Sequence, residues 1–435
     1  MMRELKWISA FVLVLGAHCN GVQAANAAPV GDNDIGYVIK RGDTLIGLAQ
    51  RYFIRTDSYK IVQQKNRISN TLALPIGATI AIPRSLVKYT LSQARVLSVR
   101  GNVTSEQGQV TAGQIFGEGA RLTTAPSSFL TLGLGNGSRV SLPSNSGLKI
   151  LTLRNYALGD SLDYDFDLSR GGARSSVIPL QSKDDRYRIR TPKAVSAVRG
   201  TDFQVRYDAE NNLDFAEVVE GGLAVGIGGN TAQPLPAGNG FAVKADGNAV
   251  FETLLPEPLL LDAGKVQADP ALLFAAQQTA NEAGFRFTIA ADAGFVEQLA
   301  DQVVTGAKAD FSDISNGNYF IRARAISANG IQGLPATFAF KRRLNGVKAS
   351  AGKDESGYAF KWENTGKGIS KFHFQLFAGK PEGTPLADEP AVAGNQISIS
   401  DLPPGTYFWR VGSVQFLDGE VATNWTGFEK LNVAP

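Results

Sequence analysis

Short apolar runs with a two-residue period, separated by turn residues, make up most of this chain after residue 94. Residues 129–134 and 139–142 alternate in this way on either side of Asn136-Gly137, a dipeptide that is typical of a tight hairpin. Similar runs follow at short, regular intervals up to residue 250. The pattern predicts an all-β module, a roll or a sandwich, over residues 94–250.

A different pattern covers residues 36–83. Tyr37 and Ile39 alternate as in a strand, Asp43 or Thr44 is a suitable helix cap, and apolar residues between 45 and 52 recur at helical spacing. A second short helix is predicted near residues 59–66 and a strand over residues 79–82. The order is β-α-α-β, a small domain ahead of the β-rich part of the chain.

This small domain resembles the LysM family along its whole length: in residues 37–45 at its start, Asn66 in its middle and residues 75–83 at its end. The resemblance implies a shallow groove between two loops that binds N-acetylglucosamine polymers such as peptidoglycan. The residues that it places in the groove are Gly42, Asp43, Thr44, Leu45, Leu74, Pro75 and Ile76. Structural roles are open to them as well, since Asp43 can cap a helix, Leu45 can lie in the core and residues 75–77 can form a turn.

The stretch YRIRTPKAVSAVRGTDFQVRYD, residues 187–208, holds two alternating runs around a crossing. It resembles the signature of the FecR domain, a periplasmic all-β module, and the likeness extends over roughly residues 94–250. The residues that carry the motif are Thr191, Pro192, Arg199, Gly200 and Thr201. Two interpretations stay open, because a guanidinium with five donors can either bind a protein partner or tie loops together within the fold.

The last third of the chain contains an internal repeat. DISNGNYFIRARAISANG, from residue 313, and DLPPGTYFWRVGSVQFLDG, from residue 401, share Asp, Gly, Tyr, Phe and Arg at equal offsets. The second copy resembles the end of a fibronectin type III domain, in which a tyrosine, here Tyr407, bonds back to the chain. Tyr319 corresponds to it in the first copy, and Trp362 suits the core of such a sandwich. We predict two immunoglobulin-like domains of this type, over residues 256–344 and 345–435.

Two segments of this region need separate predictions. Residues 270–284 are expected to form a helix or a loop rather than a strand. Lys341, Arg342 and Arg343 lie where the two repeats meet, and a basic triplet at a junction is expected to be solvated.

The N-terminus carries a secretion pattern. Arg3 and Lys6 precede an apolar run from Trp7 to Ala17, which has the length of a signal-peptide core and is too short to span a bilayer. We expect cleavage after Ala24, so that residues 1–24 form a signal peptide. A lipoprotein would require a small residue before Cys19, and His18 stands there. The predicted location is the periplasm, with no membrane span after cleavage.

Composition and charge narrow the chemistry. The 43 Lys and Arg against 40 Asp and Glu give a net charge of +3, which argues against a nucleic-acid surface. Cleavage removes the single Cys, leaving His373 as the one remaining imidazole, predicted to lie exposed on a strand. The sequence thus predicts neither a cofactor nor a catalytic triad.

An acidic alternation at Asp163, Asp165 and Asp167 was the remaining candidate for a metal site. A calcium loop needs glycine at its sixth position and an acid at its twelfth, where this chain has Leu168 and Arg174. No metal site is therefore predicted, and the three acids are expected on the solvent face of one strand.

These observations favour a mainly β, multidomain, non-enzymatic protein: a peptidoglycan-binding scaffold or adaptor whose FecR module engages an unidentified envelope protein. The alternative is a periplasmic sensor or signalling protein related to the FecR regulators of iron uptake. A cell-wall hydrolase that uses a carboxylate pair is a minor alternative, because it needs only two acids and a cleft.

Overall fold

A computed structural model of the chain describes residues 31–355, 357–367, 370–417 and 419–434. The predicted signal peptide lies outside the described residues. The chain divides into two compact units, one comprising the N-terminal part up to Tyr89 with residues 156–161, and the other the remaining residues. The architecture is mainly β and multidomain, as predicted.

The first unit has the predicted β-α-α-β order. Its two strands pair antiparallel, with Tyr37 opposite Ile80, and its two helices cover them with a core that Tyr156 and Leu158 complete. Its elements are β1 (Asp34–Val38), α1 (Leu45–Tyr52), a 3-10 turn (Thr56–Ser58), α2 (Tyr59–Lys65), β2 (Thr79–Pro83) and a second 3-10 turn (Arg84–Leu86).

One buried amide joins the second helix to the sheet of this unit. The Asn66 side chain donates to the Val62 carbonyl at 2.9 Å and to the Ala81 carbonyl at 2.8 Å, and it accepts from the Ala81 amide at 2.8 Å. It thereby satisfies the backbone groups of Ala81 at the edge of β2 and adds a second bond to the Val62 carbonyl, which also accepts from the Asn66 backbone amide.

Eighteen strands between residues 89 and 253 form a closed circuit of pairings. They are β3 (Tyr89–Leu91), β4 (Ala94–Arg100), β5 (Val103–Ser105), β6 (Gly108–Gln109), β7 (Ile115–Phe116), β8 (Arg121–Thr124), β9 (Phe129–Leu134), β10 (Arg139–Leu142), β11 (Gly147–Tyr156), β12 (Leu162–Ser176), β13 (Arg186–Arg190), β14 (Ala194–Val198), β15 (Asp202–Asp208), β16 (Leu213–Glu220), β17 (Gly222–Ile227), β18 (Gln233–Pro236), β19 (Asn239–Val243) and β20 (Ala249–Thr253).

The long strand β12 explains why this module is a roll. Its first half pairs with β11 and β13, and its second half pairs with β10 and β15. The strand changes partners near Gly171, whose φ of 74° is open to glycine and strained for other residues. Alternating apolar side chains from both halves fill one continuous core.

Each C-terminal repeat consists of two sheets around a separate core, as expected for sandwiches. The strands of the first are β21 (Leu260–Leu261), β22 (Val266–Gln267), β23 (Leu273–Ala276), β24 (Gly284–Ala290), β25 (Gln298–Val304), β26 (Lys308–Asp310), β27 (Gly317–Ile326) and β28 (Ala336–Arg342). Those of the second are β29 (Val347–Asp354), β30 (Gly357–Asn364), β31 (Lys371–Ala378), β32 (Ala387–Val392), β33 (Gln396–Ile399), β34 (Gly405–Leu417), β35 (Glu420–Trp425) and β36 (Glu429–Val433).

The sequence reasoning placed a helix or loop over residues 270–284, and this is wrong at β23. That strand pairs with β21 and β26, and Phe274 packs in the core against Phe340 with ring centroids 4.9 Å apart. The run LLFAAQQ is too short for its period to separate a buried strand from a helix. Tertiary pairing decided the outcome.

The basic triplet at the junction of the repeats is not solvated as a whole. Arg342 and Arg343 are fully buried, and Lys341 alone reaches the surface, where it pairs with Glu420 at 2.7 Å. Arg342 donates to the Asp269 and Pro270 carbonyls, and Arg343 donates to the Gly317 carbonyl at 2.8 Å. The two guanidinium groups therefore bond to backbone carbonyls inside the junction, which corrects the sequence-based expectation.

Candidate functional site

Two loops of the first unit lie side by side and form the candidate glycan site. The Leu45 amide donates to the Thr71 carbonyl at 3.0 Å, and the Gly77 amide donates to the Ile39 carbonyl at 2.8 Å. These bonds bring residues 40–45 and 71–77 together, as the two-loop groove requires. We refer to these two segments as the paired loops.

In the first loop, two predicted site residues also build the turn and the helix start. Thr44 is the N-cap of α1, and its hydroxyl accepts from the Gly47 amide at 3.0 Å. Asp43 accepts from the Lys40 amide and from the Tyr37 hydroxyl, at 2.7 and 2.8 Å. Burial, followed by this bond to Asp43, raises the pKa of Tyr37 to about 12. The capping role was therefore taken by Thr44, while the Asp43 carboxylate holds the turn.

The exposed members of the predicted set lie at the tips of the paired loops. Gly42 has a φ of 87° and open space around its Cα, and Pro75 and Ile76 are exposed, Ile76 with 65% of its surface. Leu45 and Leu74 belong to the core of the unit instead. At the tips of the paired loops, Gly42, Pro75 and Ile76 are thus accessible to a ligand. The two leucines support the loops from the core.

Sequence reasoning missed Leu72 and a neighbouring cavity. Among the described residues of this unit, Leu72 is the most exposed large apolar side chain, at 69%. The cavity, of about 90 Å³, lies behind the second loop, and Pro75 is the one predicted site residue in its lining. The polar run NRISN after α2 was the available signal, because Asn66, Arg67, Ile68, Ser69 and Asn70 all line this cavity.

The motif residues of the central roll form its internal connections. Arg199 is exposed, and its guanidinium donates to the carbonyls of Lys183 at 2.8 Å and Ser182 at 2.7 Å. The Thr201 hydroxyl donates to the Gly222 carbonyl at 3.0 Å. Gly200 has a φ of 115°, and a Cβ there would lie 2.7 Å from the Pro179 Cα. These contacts favour the loop-tying interpretation of the motif.

The other two motif residues lie at the start of the crossing. Pro192 is exposed. The Thr191 hydroxyl is buried and hydrogen-bonds to the carboxyl group of Asp214 on β16. Burial is the main cause that raises the pKa of Asp214 to about 7. Sequence reasoning missed Asp214, because a lone acid in an alternating strand gives no sign that it faces inward.

The acidic alternation on β12 is part of a buried ionic ladder. Asp163 and Asp165 are almost fully buried, which corrects the expectation that all three acids face solvent. The reason is the parallel partner β13, which sets Arg186 opposite Asp163 and Arg188 opposite Asp165. Within the described residues, no group of three or more His, Cys, Asp and Glu side chains is arranged to hold a metal ion.

His373 lies in a half-buried surface cluster rather than in the open. Its Nε2 is within hydrogen-bond distance of the Asp388 carboxylate, and its ring centroid lies 4.7 Å from that of Trp425. The bond to His373 is the main cause that lowers the pKa of Asp388. Among the described residues, the contacts of this ring are with a carboxylate and an indole, not with a hydroxyl or a thiol.

Family comparisons agree with two of these modules. Residues 37–83 match the LysM domain model, and residues 120–223 match the model of FecR protein. The chain contains a LysM domain and a FecR domain. The FecR match includes β8 to β16 and the whole motif, and the LysM match includes the paired loops. No curated protein matches the chain.

Comparisons with solved structures give matches of low identity and low TM-score. Two crystal structures titled "putative anti-sigma factor from Parabacteroides distasonis ATCC 8503" share 18% identity, with TM-scores of 0.26 and 0.27. Each alignment covers 31% of this chain and 59% of the other chain. A segment of two fibronectin type III domains from chicken tenascin shares 13% identity with a TM-score of 0.24, over 41% of this chain and 98% of the segment.

The LysM and FecR domains together indicate a protein associated with the cell envelope. No helix in the described part of the chain combines the length and the apolar character needed to cross a membrane.

Proposed function

We propose that this protein is a non-enzymatic, periplasmic scaffold that binds N-acetylglucosamine-containing glycan, such as peptidoglycan, through the paired loops of its LysM domain. The observation that carries the proposal is the LysM match over residues 37–83 together with two adjacent loops whose tips are exposed. In this proposal the signal peptide of residues 1–24 directs secretion.

The paired loops have the chemistry that a sugar chain requires. Leu72 and Ile76 expose apolar surface for the faces of the pyranose rings. Because Gly42 has no side chain, a bound sugar chain can approach the protein backbone closely at this position. Exposed amide and carbonyl groups of these loops can hydrogen-bond the acetamido and hydroxyl groups of the sugar. The buried Leu45 and Leu74 hold the loops in a fixed position, which limits the entropy lost on binding.

Co-sedimentation with purified, protein-free peptidoglycan tests this proposal. We expect the full-length protein to pellet and the variants Leu72→Ser and Ile76→Ser to lose most of the bound fraction. The control is Ile54→Ser, because Ile54 is also exposed, at 56%, but follows the opposite end of α1. Equal pelleting of all four proteins would place glycan binding elsewhere, and pelleting by none would remove the wall-binding function.

In the same proposal, the FecR domain engages a protein of the envelope and the two sandwiches act as a spacer. Support comes from the separation of roles within the domain, since the motif residues Thr191, Arg199 and Thr201 bind the Asp214 carboxyl group and backbone carbonyls of the domain itself. The partner would then contact the outer surface of the roll. Cross-linking in cells, with a crosslinker placed at the exposed Pro192, is expected to capture one envelope protein; its absence would contradict an adaptor role.

A periplasmic sensor is the second candidate, and the FecR match over residues 120–223 favours it. Deletion of the gene would then abolish a transcriptional response. Complementation of the deletion by the Ile76→Ser variant separates the candidates. The variant would restore the function of a sensor that does not use glycan, but it would not restore the function of a glycan-anchored scaffold.

A further inference from the structure

The FecR domain and the first C-terminal sandwich form a direct interface. Across it, the Thr131 hydroxyl donates to the Val296 carbonyl at 2.7 Å, and the Gln332 amide donates to Glu217 Oε1 at 3.0 Å. Beside these bonds, Ile331 packs in an apolar cluster with Phe215. The two domains are therefore held together by specific hydrogen bonds and a small apolar core. The space enclosed between them accordingly has fixed walls.

Two cavities lie in this interface, with volumes of about 40 Å³ and about 200 Å³. They share four lining residues, Ser141, Arg174, Phe295 and Arg322, so they adjoin each other. The larger cavity has room for several water molecules or for a small solute.

Five arginines line these cavities, and their charge is only partly balanced. Arg174 pairs with Asp202 at 2.9 Å, and Arg286 pairs with Asp301 at 2.7 Å. Among the described residues no ion pair involves the other three, which are Arg139, Arg322 and Arg324. Arg206 and Glu217, which lie nearby, pair with each other. These three arginines thus have no ion-pair partner of their own, although the Asp202 carboxylate that pairs with Arg174 also lines the larger cavity.

The arrangement on the sandwich sheet is unfavourable without an anion. Arg286 on β24 lies directly opposite Arg324 on β27, and like charges in that position repel each other. Arg322 lies two residues before Arg324 on the same strand, so its side chain points to the same face of the sheet. Its guanidinium carbon lies 3.6 Å from the centroid of the Phe295 ring, which fixes its position by a cation–π contact.

Arg324 shows the lack of a negatively charged partner most clearly. It is 4% exposed; its Nη1 donates to the Gly333 carbonyl at 2.8 Å, and its Nη2 has no hydrogen-bond partner. Burial, with repulsion from Arg174 as the next cause, lowers the pKa of Arg324 to about 9. A buried cation with an unused donor is costly unless a negative group completes it.

We infer that this interface is a binding site for a small oxyanion carrying two or more negative charges, of the phosphate or sulfate type, held by Arg322, which lines both cavities, with Arg324 on the side of the smaller cavity and Arg139 on the side of the larger. Guanidinium groups present paired N–H donors that match such oxygens. Ser141 adds a hydroxyl to both cavities. Because the site has walls from two domains, a bound anion also stabilises their contact. The inference does not depend on glycan binding by the LysM domain.

Isothermal titration calorimetry of the full-length protein with inorganic phosphate, sulfate and pyrophosphate, in a chloride buffer of constant ionic strength, tests the site. We expect saturable binding of one anion per chain. The variants Arg322→Gln and Arg324→Gln are each expected to weaken it at least tenfold. The control Arg121→Gln removes an exposed arginine on β8 of the FecR domain, which pairs with Glu106 and lines neither cavity, and this variant is expected to bind as the native protein does.

Thermal unfolding supplies a second readout that a purely structural arginine would not give. In chloride alone, Arg324→Gln is expected to keep or raise the melting temperature, while losing the increase that phosphate gives the native protein. A general salting effect of phosphate would persist in all variants. Absence of saturable binding for all three anions, or unchanged binding by both variants, would overturn the inference. If Arg324→Gln does not fold, the half-buried Arg322 decides the question.

Discussion

The hydroxyl of Thr191, in the FecR motif, hydrogen-bonds to the buried carboxyl group of Asp214 on a different strand. The same hydroxyl lies 3.1 Å from the carbonyl and from the amide of Ala194. Its single proton can be donated to only one acceptor. A protonated Asp214 resolves this, because it donates to the Thr191 oxygen and frees the Thr191 proton for the Ala194 carbonyl.

This relationship predicts a pH-dependent stability of the FecR domain. Because the folded-state pKa of Asp214 is about 7 and its ordinary value is 3.8, the folded state binds the proton more tightly. Stability therefore falls as the pH rises from about 4 to about 7, by roughly 4 kcal/mol in total. Asp214→Asn is expected to remove this dependence and to stabilise the domain at pH 8.

The measurement is hydrogen exchange of strand β16 at pH 5 and pH 8, corrected for the intrinsic exchange rates. Glu210→Gln, in the loop before this strand, removes one carboxylate from the exposed end of the same hairpin and is the matched control. Loss of stability in Asp214→Asn at both pH values would mean that the carboxylate is ionised and required.

Arg343 is expected to stabilise the junction of the two sandwiches. Arg343→Met removes the donor to the Gly317 carbonyl from a fully buried position, so we expect a loss of about 2 to 4 kcal/mol. Lys341→Met breaks a surface pair with Glu420 and should cost less than about 1 kcal/mol. Hydrogen exchange in strand β27 measures both, and similar effects of the two variants would contradict the assignment.

Asn66 is expected to be the main polar connection within the LysM domain. Asn66→Ala removes three hydrogen bonds to backbone groups, with an expected loss of about 2 to 3 kcal/mol in the free energy of unfolding of this domain. Asn70→Ala is the control, because Asn70 is exposed and accepts one bond, from the Leu72 amide. Exchange rates in α2 and β2 report the difference, and equal rates in both variants would refute it.

The hydrogen bonds made by the corresponding tyrosines of the two sandwiches are expected to differ in strength. The Tyr407 hydroxyl donates to the Pro403 carbonyl at 2.8 Å, whereas Tyr319 reaches the Asn316 carbonyl at 3.3 Å. Tyr407→Phe should therefore cost about 1 to 1.5 kcal/mol and Tyr319→Phe less. Tryptophan fluorescence follows the second sandwich, which contains Trp362, Trp409 and Trp425. No change in its unfolding midpoint in Tyr407→Phe would contradict this prediction.

The sequence determined the class and order of the modules, because their signals are local. A two-residue apolar period predicts strands wherever it occurs, and the capping residue Thr44 and the helical spacing after it predict α1. The bond of Tyr407 back to the chain was implied by the resemblance of residues 402–407 to a fibronectin type III domain, and it is confirmed. Each of these features depends on residues that are near one another in the chain.

Tertiary structure decided which polar residues are buried and what they meet. Alternation shows that two residues share a face of a strand, but it does not show whether another strand covers that face. Asp165 is buried because β13 runs parallel to β12 and brings Arg188 opposite it, and Arg324 faces a cavity because a second domain closes over its sheet. Such pairings join residues far apart in the chain, so their electrostatics appear only when the strands are assembled.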